Sequence, residues 1–191
     1  MTGRTHDLAA FTALNGLFLL APLSQMSLAT LAVAVGANFI GGLAPDLDKS
    51  TSTLWKKFRG GSLIGPLIAP ILGGHRLISH SLIGFILTGF LSINFLNLLS
   101  TILLVDMKIV WFAFMIGLLS HLVTDSMTKE GIPLFFPFPF DFGIPPFRFL
   151  RITTGKILEK SFVYPGLMLL NGYWFYSYSA RYLDFLRHYV K

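Results

Sequence analysis

From Leu82 to Val105 the chain carries no charged residue and is almost entirely apolar. A hydrocarbon core of about 30 Å needs about 20 such residues in a helix. A run of this kind has few places to go except across a bilayer. It predicts an integral membrane protein, and the rest of the chain agrees. Only 13% of residues are charged, against roughly 25% in soluble domains.

Five spans are expected, at Leu8–Leu23, Ser27–Ala44, Ser81–Val105, Ile109–Val123 and Phe162–Tyr178. The fold class is therefore all-α, a multi-pass transmembrane helical bundle in one domain covering 1–191. Tyr173, Trp174, Tyr176 and Tyr178 close the last span as an interfacial aromatic cluster would. The first span is read as an uncleaved helix, because no small-residue cleavage site follows it. Between spans two and three, Ser62–Leu72 is apolar but short and broken by Gly65, Pro66 and Pro70, so it reads as re-entrant or interfacial. The preceding Trp55–Arg59 reads as a surface-lying turn. The segment 126–160 alternates Phe with Pro and cannot be helical throughout. It is expected as an interfacial loop on the bundle, with a wall for acyl chains as the alternative.

The formal net charge is +6. With five alternating spans, most Lys and Arg residues fall on one side, which the positive-inside rule makes cytoplasmic. Arg181, Arg187 and Lys191 fall on the other. The basic balance is thus assigned to topology and to membrane lipids as partners, with no specific nucleic acid predicted. Cysteine is absent, so a thiolate metal site is excluded and any metal must be held by His, Asp or Glu.

The ionisable residues fall into a pattern once the spans are drawn. His6 precedes span one, and Asp46 and Asp48 follow span two. His75 and His80 precede span three, His121 and Asp125 end span four, and Glu159 precedes span five. All eight fall at one membrane face. Ionisable groups there are costly and usually pair or bind something. A site of one or two divalent cations would account for them, zinc first, with manganese or magnesium as alternatives.

Each piece also has a structural reading. Asp46-x-Asp48 is either a turn cap or a cation-binding carboxylate pair. His121 and Asp125 share a helix face, as a helix-joining pair or as a ligand with its orienting carboxylate. Arg76 is either a positive-inside anchor or a clamp for a phosphate or carboxylate. No Gly-x-Ser-x-Gly elbow and no His-Glu-x-x-His motif occurs, which sets aside a serine hydrolase of that type and that class of zinc protease.

The motifs that carry this pattern are, in order, His6, Leu43-Ala-Pro-Asp46-Leu-Asp48, Gly74-His75-Arg-Leu-Ile-Ser-His80-Ser81 and Leu119-Ser-His121-Leu-Val-Thr-Asp125. Thr128-Lys-Glu-Gly131-Ile-Pro133 and Gly155-Lys-Ile-Leu-Glu159 follow. Together they resemble the YdjM-type family of bacterial inner-membrane proteins, identified as metal-dependent hydrolases. Lys49 departs from the family's Asp-x-Asp-His pattern. The resemblance implies metal-assisted hydrolysis of a lipidic or membrane-associated ester or phosphodiester at the inner membrane, with the site on the cytoplasmic side. The expected ligands are His75, His80, His121, Asp46, Asp48 and Asp125. His6, Glu159 and Arg76 are the expected catalytic groups. An ion- or proton-coupled transporter, or a scaffold with a structural metal, remains the alternative.

Overall fold

The computed structural model describes residues 1–21, 25–49, 55, 65–66 and 78–188. Among the described residues there are six α-helices and no strands. They are α1 Gly3–Leu20, α2 Leu28–Leu43, α3 Leu82–Leu99, α4 Met107–Ser126, α5 Tyr164–Ser177 and α6 Ser179–His188. A 3-10 turn, Ala44–Asp48, continues α2, and a π-helical turn, Glu159–Val163, leads into α5.

Among the described residues, three helices are long and apolar enough to cross a membrane: α2 with its 3-10 extension, α3 and α4. The five expected spans therefore reduce to three by this standard. The first turns of α1 carry Arg4, His6 and Asp7, and α5 has only 14 residues before Tyr178 breaks it. The third span is also shorter than expected, because α3 ends at Leu99. The expected re-entrant segment lies outside the described residues except for Gly65 and Pro66, as does the expected surface turn except for Trp55. Trp55 itself is buried, and its indole N–H donates to the Leu47 carbonyl at 3.1 Å.

Side-chain hydroxyls and carboxylates start the spans. The Ser27 hydroxyl accepts from the Thr30 amide, Ser81 from Gly84, and Asp106 from Lys108 and Ile109. These satisfy amides that no helical carbonyl can reach.

The α2–α4 pair is the centre of the bundle, and α1 packs on both. Its closeness depends on glycine. A Cβ at Gly41 would lie 2.0 Å from the Phe114 carbonyl oxygen, and one at Gly117 would lie 2.1 Å from that of Asn38. Small residues let spanning helices approach to backbone contact, and Asn38 uses the contact to donate to the Ala113 carbonyl at 3.0 Å. By contrast, α3 touches the rest mainly through α4 and leaves Ile86, Phe90, Leu91 and Phe95 exposed. That surface suits lipid and would be costly in water.

A polar ladder joins α1 to α5 and α6. Asn171 donates to the Thr12 hydroxyl at 2.7 Å, Asn15 donates to the Asn171 carbonyl oxygen at 2.9 Å, and the Tyr182 hydroxyl donates to Asn15. Arg181 then donates to the Phe18 and Ala21 carbonyls, closing the end of α1.

The 127–158 connection holds a 3-10 turn, Arg148–Leu150, and two isolated bridges, Thr128 with Ile152 and Ile132 with Phe142. Arg151, buried, organises it by donating to the carbonyls of Pro145, Gly143 and Pro146. One cation counted toward the basic face is thus spent inside the loop. Phe138, Phe140, Phe147 and Phe149 are exposed on its surface.

Candidate metal centre

The ends of α1, α2, α3 and α4 deliver the site. His6 comes from the first turns of α1, Asp46 and Asp48 from the 3-10 turn after α2, His80 from just before α3, and His121 and Asp125 from the last turns of α4. His121 and Asp125, four apart, lie on one helix face. The two Asp residues of the turn lie on either side of the His80 ring. Asp46 Oδ1 is 4.0 Å from His80 Nε2, and Asp48 Oδ2 is 3.6 Å from its Nδ1.

Each of three imidazoles is held through Nδ1. His121 Nδ1 is 2.7 Å from the Gly42 carbonyl oxygen, which cannot donate, so the nitrogen carries the proton. That carbonyl belongs to the last turn of α2, where no helical amide reaches it. The Thr124 hydroxyl, which also reaches the Ser120 and His121 carbonyls, lies 2.9 Å from His6 Nδ1. The Ser79 hydroxyl donates to Asp48, and so accepts from His80 Nδ1 at 2.8 Å. The His80 and His121 rings are thereby set to the same tautomer, with Nε2 unprotonated.

Those Nε2 atoms turn toward one point. His80 and His121 Nε2 are 3.3 Å apart. Asp125 Oδ2 lies 3.6 Å from His121 Nε2 and 3.7 Å from His80 Nε2, and Asp125 Oδ1 lies 3.2 Å from His6 Nε2. The Met1 nitrogen also contacts Asp125 Oδ1. The His6 ring stacks on His121 with centroids 3.8 Å apart, and its Nε2 has no hydrogen-bond partner among the described residues. His6, His80, His121 and Asp125 are all buried. Asp46 is the exception, with a side chain 18% exposed.

The Nε2 lone pairs of His80 and His121 face each other and the Asp125 carboxylate; the Met1 ammonium pairs with that carboxylate at Oδ1, and a further cation near Oδ2 would offset the remaining repulsion. The donor set fits one. Metal–ligand bonds of 2.0–2.2 Å in a tetrahedral sphere set ligand atoms about 3.3–3.6 Å apart, close to the spacing of His80, His121 and Asp125. His6, Asp46 and His121 form a second triplet on the same ring. Burial lowers the proton affinity of His80 below the ordinary value, which keeps the imidazole neutral, the form that binds metal.

Glu159 lies elsewhere. Its carboxylate accepts from the Thr2 amide and hydroxyl, the Thr5 hydroxyl and the Gly155 amide, at 2.6–2.7 Å. Burial alone would raise its pKa, but these donors outweigh it and lower it from 4.5 to about 2. The group fastens the start of α1 to the approach of α5. Asp48 acts through Ser79 and His80, on the far side of the ring from the shared point. His75 and Arg76 lie outside the described residues. Lys49 is described and exposed.

Sequence reasoning placed His6 among catalytic groups and did not anticipate Thr124, Ser79 or the Gly42 carbonyl. Ser79 adjoins His80, and Thr124 lies three residues after His121, so both were within reach. The Gly42 carbonyl left no side-chain signal.

The profile of the YdjM inner membrane protein family matches residues 1–183. The chain belongs to that family. It is similar to the uncharacterized protein YvsG of Bacillus subtilis, at 30% identity over 179 residues, covering 92% of this chain and 95% of that protein. No solved structure matches. Family membership and the three apolar helices together make the chain a membrane protein, and its buried His and Asp groups have the composition and spacing to hold a metal ion.

Proposed function

We propose that this YdjM-family chain is a membrane-bound, metal-dependent hydrolase that acts on an ester or phosphodiester of a lipid or membrane-associated substrate. The observation that carries this reading is the common tautomer of His80 and His121, whose Nε2 atoms face the Asp125 carboxylate beside His6 Nε2. His80, His121 and Asp125 would hold a single divalent cation, with His6 beside them to complete the donor set. His121 has only one inward nitrogen, which favours one ion over two. Imidazole-rich donors suit zinc better than magnesium, with manganese as the alternative. When bound, such a cation supplies Lewis acidity toward an acyl or phosphoryl oxygen and makes water a nucleophile at neutral pH.

The chain's own groups divide the remaining work. Gly42, Thr124 and the Ser79–Asp48 pair fix the three rings. Asp46, the half-buried carboxylate of the cluster, is placed to take a proton at Oδ1 from entering water. Glu159 fixes the start of α1 and so the position of His6. The cytoplasmic side is assigned from the positive-inside rule.

The test is metal content and hydrolysis in the same preparation. Purified protein is expected to hold about one equivalent of zinc or manganese and to release product from a short-chain phospholipid or an aryl phosphodiester. Asp46→Asn should lose turnover while keeping most metal. His121→Ala should lose both. Negligible metal in the unmodified protein and both variants would overturn the reading. Full metal with no hydrolysis of either substrate class would favour a structural ion in a non-catalytic scaffold.

A further inference from the structure

A cavity of about 650 Å³ lies at the opposite end of the bundle from the metal centre. Leu14 and Phe18 of α1, Ala34 of α2, Ile116 of α4, and Tyr182 and Phe185 of α6 are among its walls. The glycine contact of α2 with α4, from Asn38 to Gly42 and Phe114 to Leu118, separates it from the donor ring. Its volume falls within the range of small-molecule sites. Apolar side chains make up nearly all of its lining. The polar exceptions, Asn15 and Tyr182, hydrogen-bond to each other, so neither calls for a polar ligand.

Two features select an occupant. First, the cavity lies between α2 and α4, which have the length and apolarity of spans. At that depth the medium is lipid, and a dry apolar space takes an apolar filler. Second, helix ends adjoin it, with Ala21 after α1 and Leu31 in the first turn of α2 among its walls. Arg181 donates to Ala21 at the end of α1, and the Asp106 amide before α4 donates to the Thr30 hydroxyl in the first turn of α2. Arg181 sets a guanidinium there, stacked 5.8 Å from the Phe18 ring centroid. Its Nε is buried and has no hydrogen-bond partner among the described residues. A guanidinium set against two wall residues of an apolar cavity, Phe18 and Ala21, complements the phosphate of an anionic headgroup.

We propose that this cavity is a binding site for one acyl chain of an anionic phospholipid, with its headgroup drawn to Arg181. The site is independent of the metal reading and would stand if that reading failed.

Native mass spectrometry of the detergent-solubilised full chain tests it, with phosphatidylglycerol, phosphatidylcholine of the same chains, and oleate as probes. A single phosphatidylglycerol adduct is expected, with phosphatidylcholine about fivefold weaker and oleate weaker again. Arg181→Gln should remove the preference for phosphatidylglycerol. Leu14→Trp and Val35→Trp, which fill the cavity from different helices, should each suppress the adduct. Equal binding of the two phospholipids to the unmodified protein would overturn the proposal. So would oleate as the tightest probe, or an adduct that survives both filling variants in correctly folded protein. If neither filled variant folds, the headgroup comparison on unmodified protein still decides.

Discussion

At the residue scale, the donor ring is defined less by its histidines than by what holds them. His121 is aimed by a main-chain carbonyl, His6 by Thr124, and His80 by Ser79 backed by Asp48. Partners of this kind typically alter metal affinity 10- to 100-fold. Ser79→Ala and Thr124→Val are therefore expected to weaken metal binding about tenfold or more without unfolding the protein, as competition with a chelator would measure. Glu159 yields a prediction in pH. Its folded pKa is depressed, so the stability it contributes is present above about 4.5 and is lost as pH falls toward about 2. Glu159→Gln should cost about 1–3 kcal/mol at pH 7, and the gap to the unmodified protein should close through that window in thermal unfolding. Sequence patterning marked His80, His121, Asp46 and Asp125, which the structure brings together. It could not separate a carboxylate facing the ring's Nε2 from one behind its Nδ1, because Asp46 and Asp48 differ only in which side of His80 they reach.

At the element scale, the α2–α4 contact sets the site, since α2 ends in the Asp46 turn and α4 in His121 and Asp125. Gly117→Ala would drive a methyl into the Asn38 carbonyl. Overpacking of this kind costs about 1–3 kcal/mol or more. The variant should unfold at lower temperature and lose metal together with stability, although Gly117 offers no ligand. Apolar runs in the sequence located α2, α3 and α4 to within a few residues, apart from the early end of α3. They did not show that α1 and α5 fall short of the length and apolarity that α2, α3 and α4 have. Leu8–Leu23 and Phe162–Tyr178 are apolar on average, yet α1 begins in a polar turn and Tyr178 ends α5 early. The inward use of Arg151 was equally hidden, because no periodicity tells a loop-filling guanidinium from a surface one.

At the scale of the whole molecule, the helices from α1 to α5 alternate in direction and gather their polar ends at one face. Sidedness can be read directly, because the chain has no cysteine. Lys129→Cys, beside the metal centre, should react with an impermeant thiol reagent only after the membrane is opened. Thr101→Cys, exposed in the turn after α3, should react in intact cells. The reverse pattern would turn the molecule over and place the centre outside.

Gly42 belongs to both halves of this design. Its missing side chain admits α1, where a Cβ would stand 2.9 Å from that of Ala10, while its carbonyl orients His121. Spanning helices tilt when the bilayer around them is thinner or thicker than their apolar length. A tilt that slides α2 along α4 would pull on that carbonyl and rotate the imidazole with it. Turnover by the proposed hydrolase in vesicles should then track acyl-chain length, with an optimum where the lipid leaves α2 at rest, so that the protein would gauge the membrane it sits in.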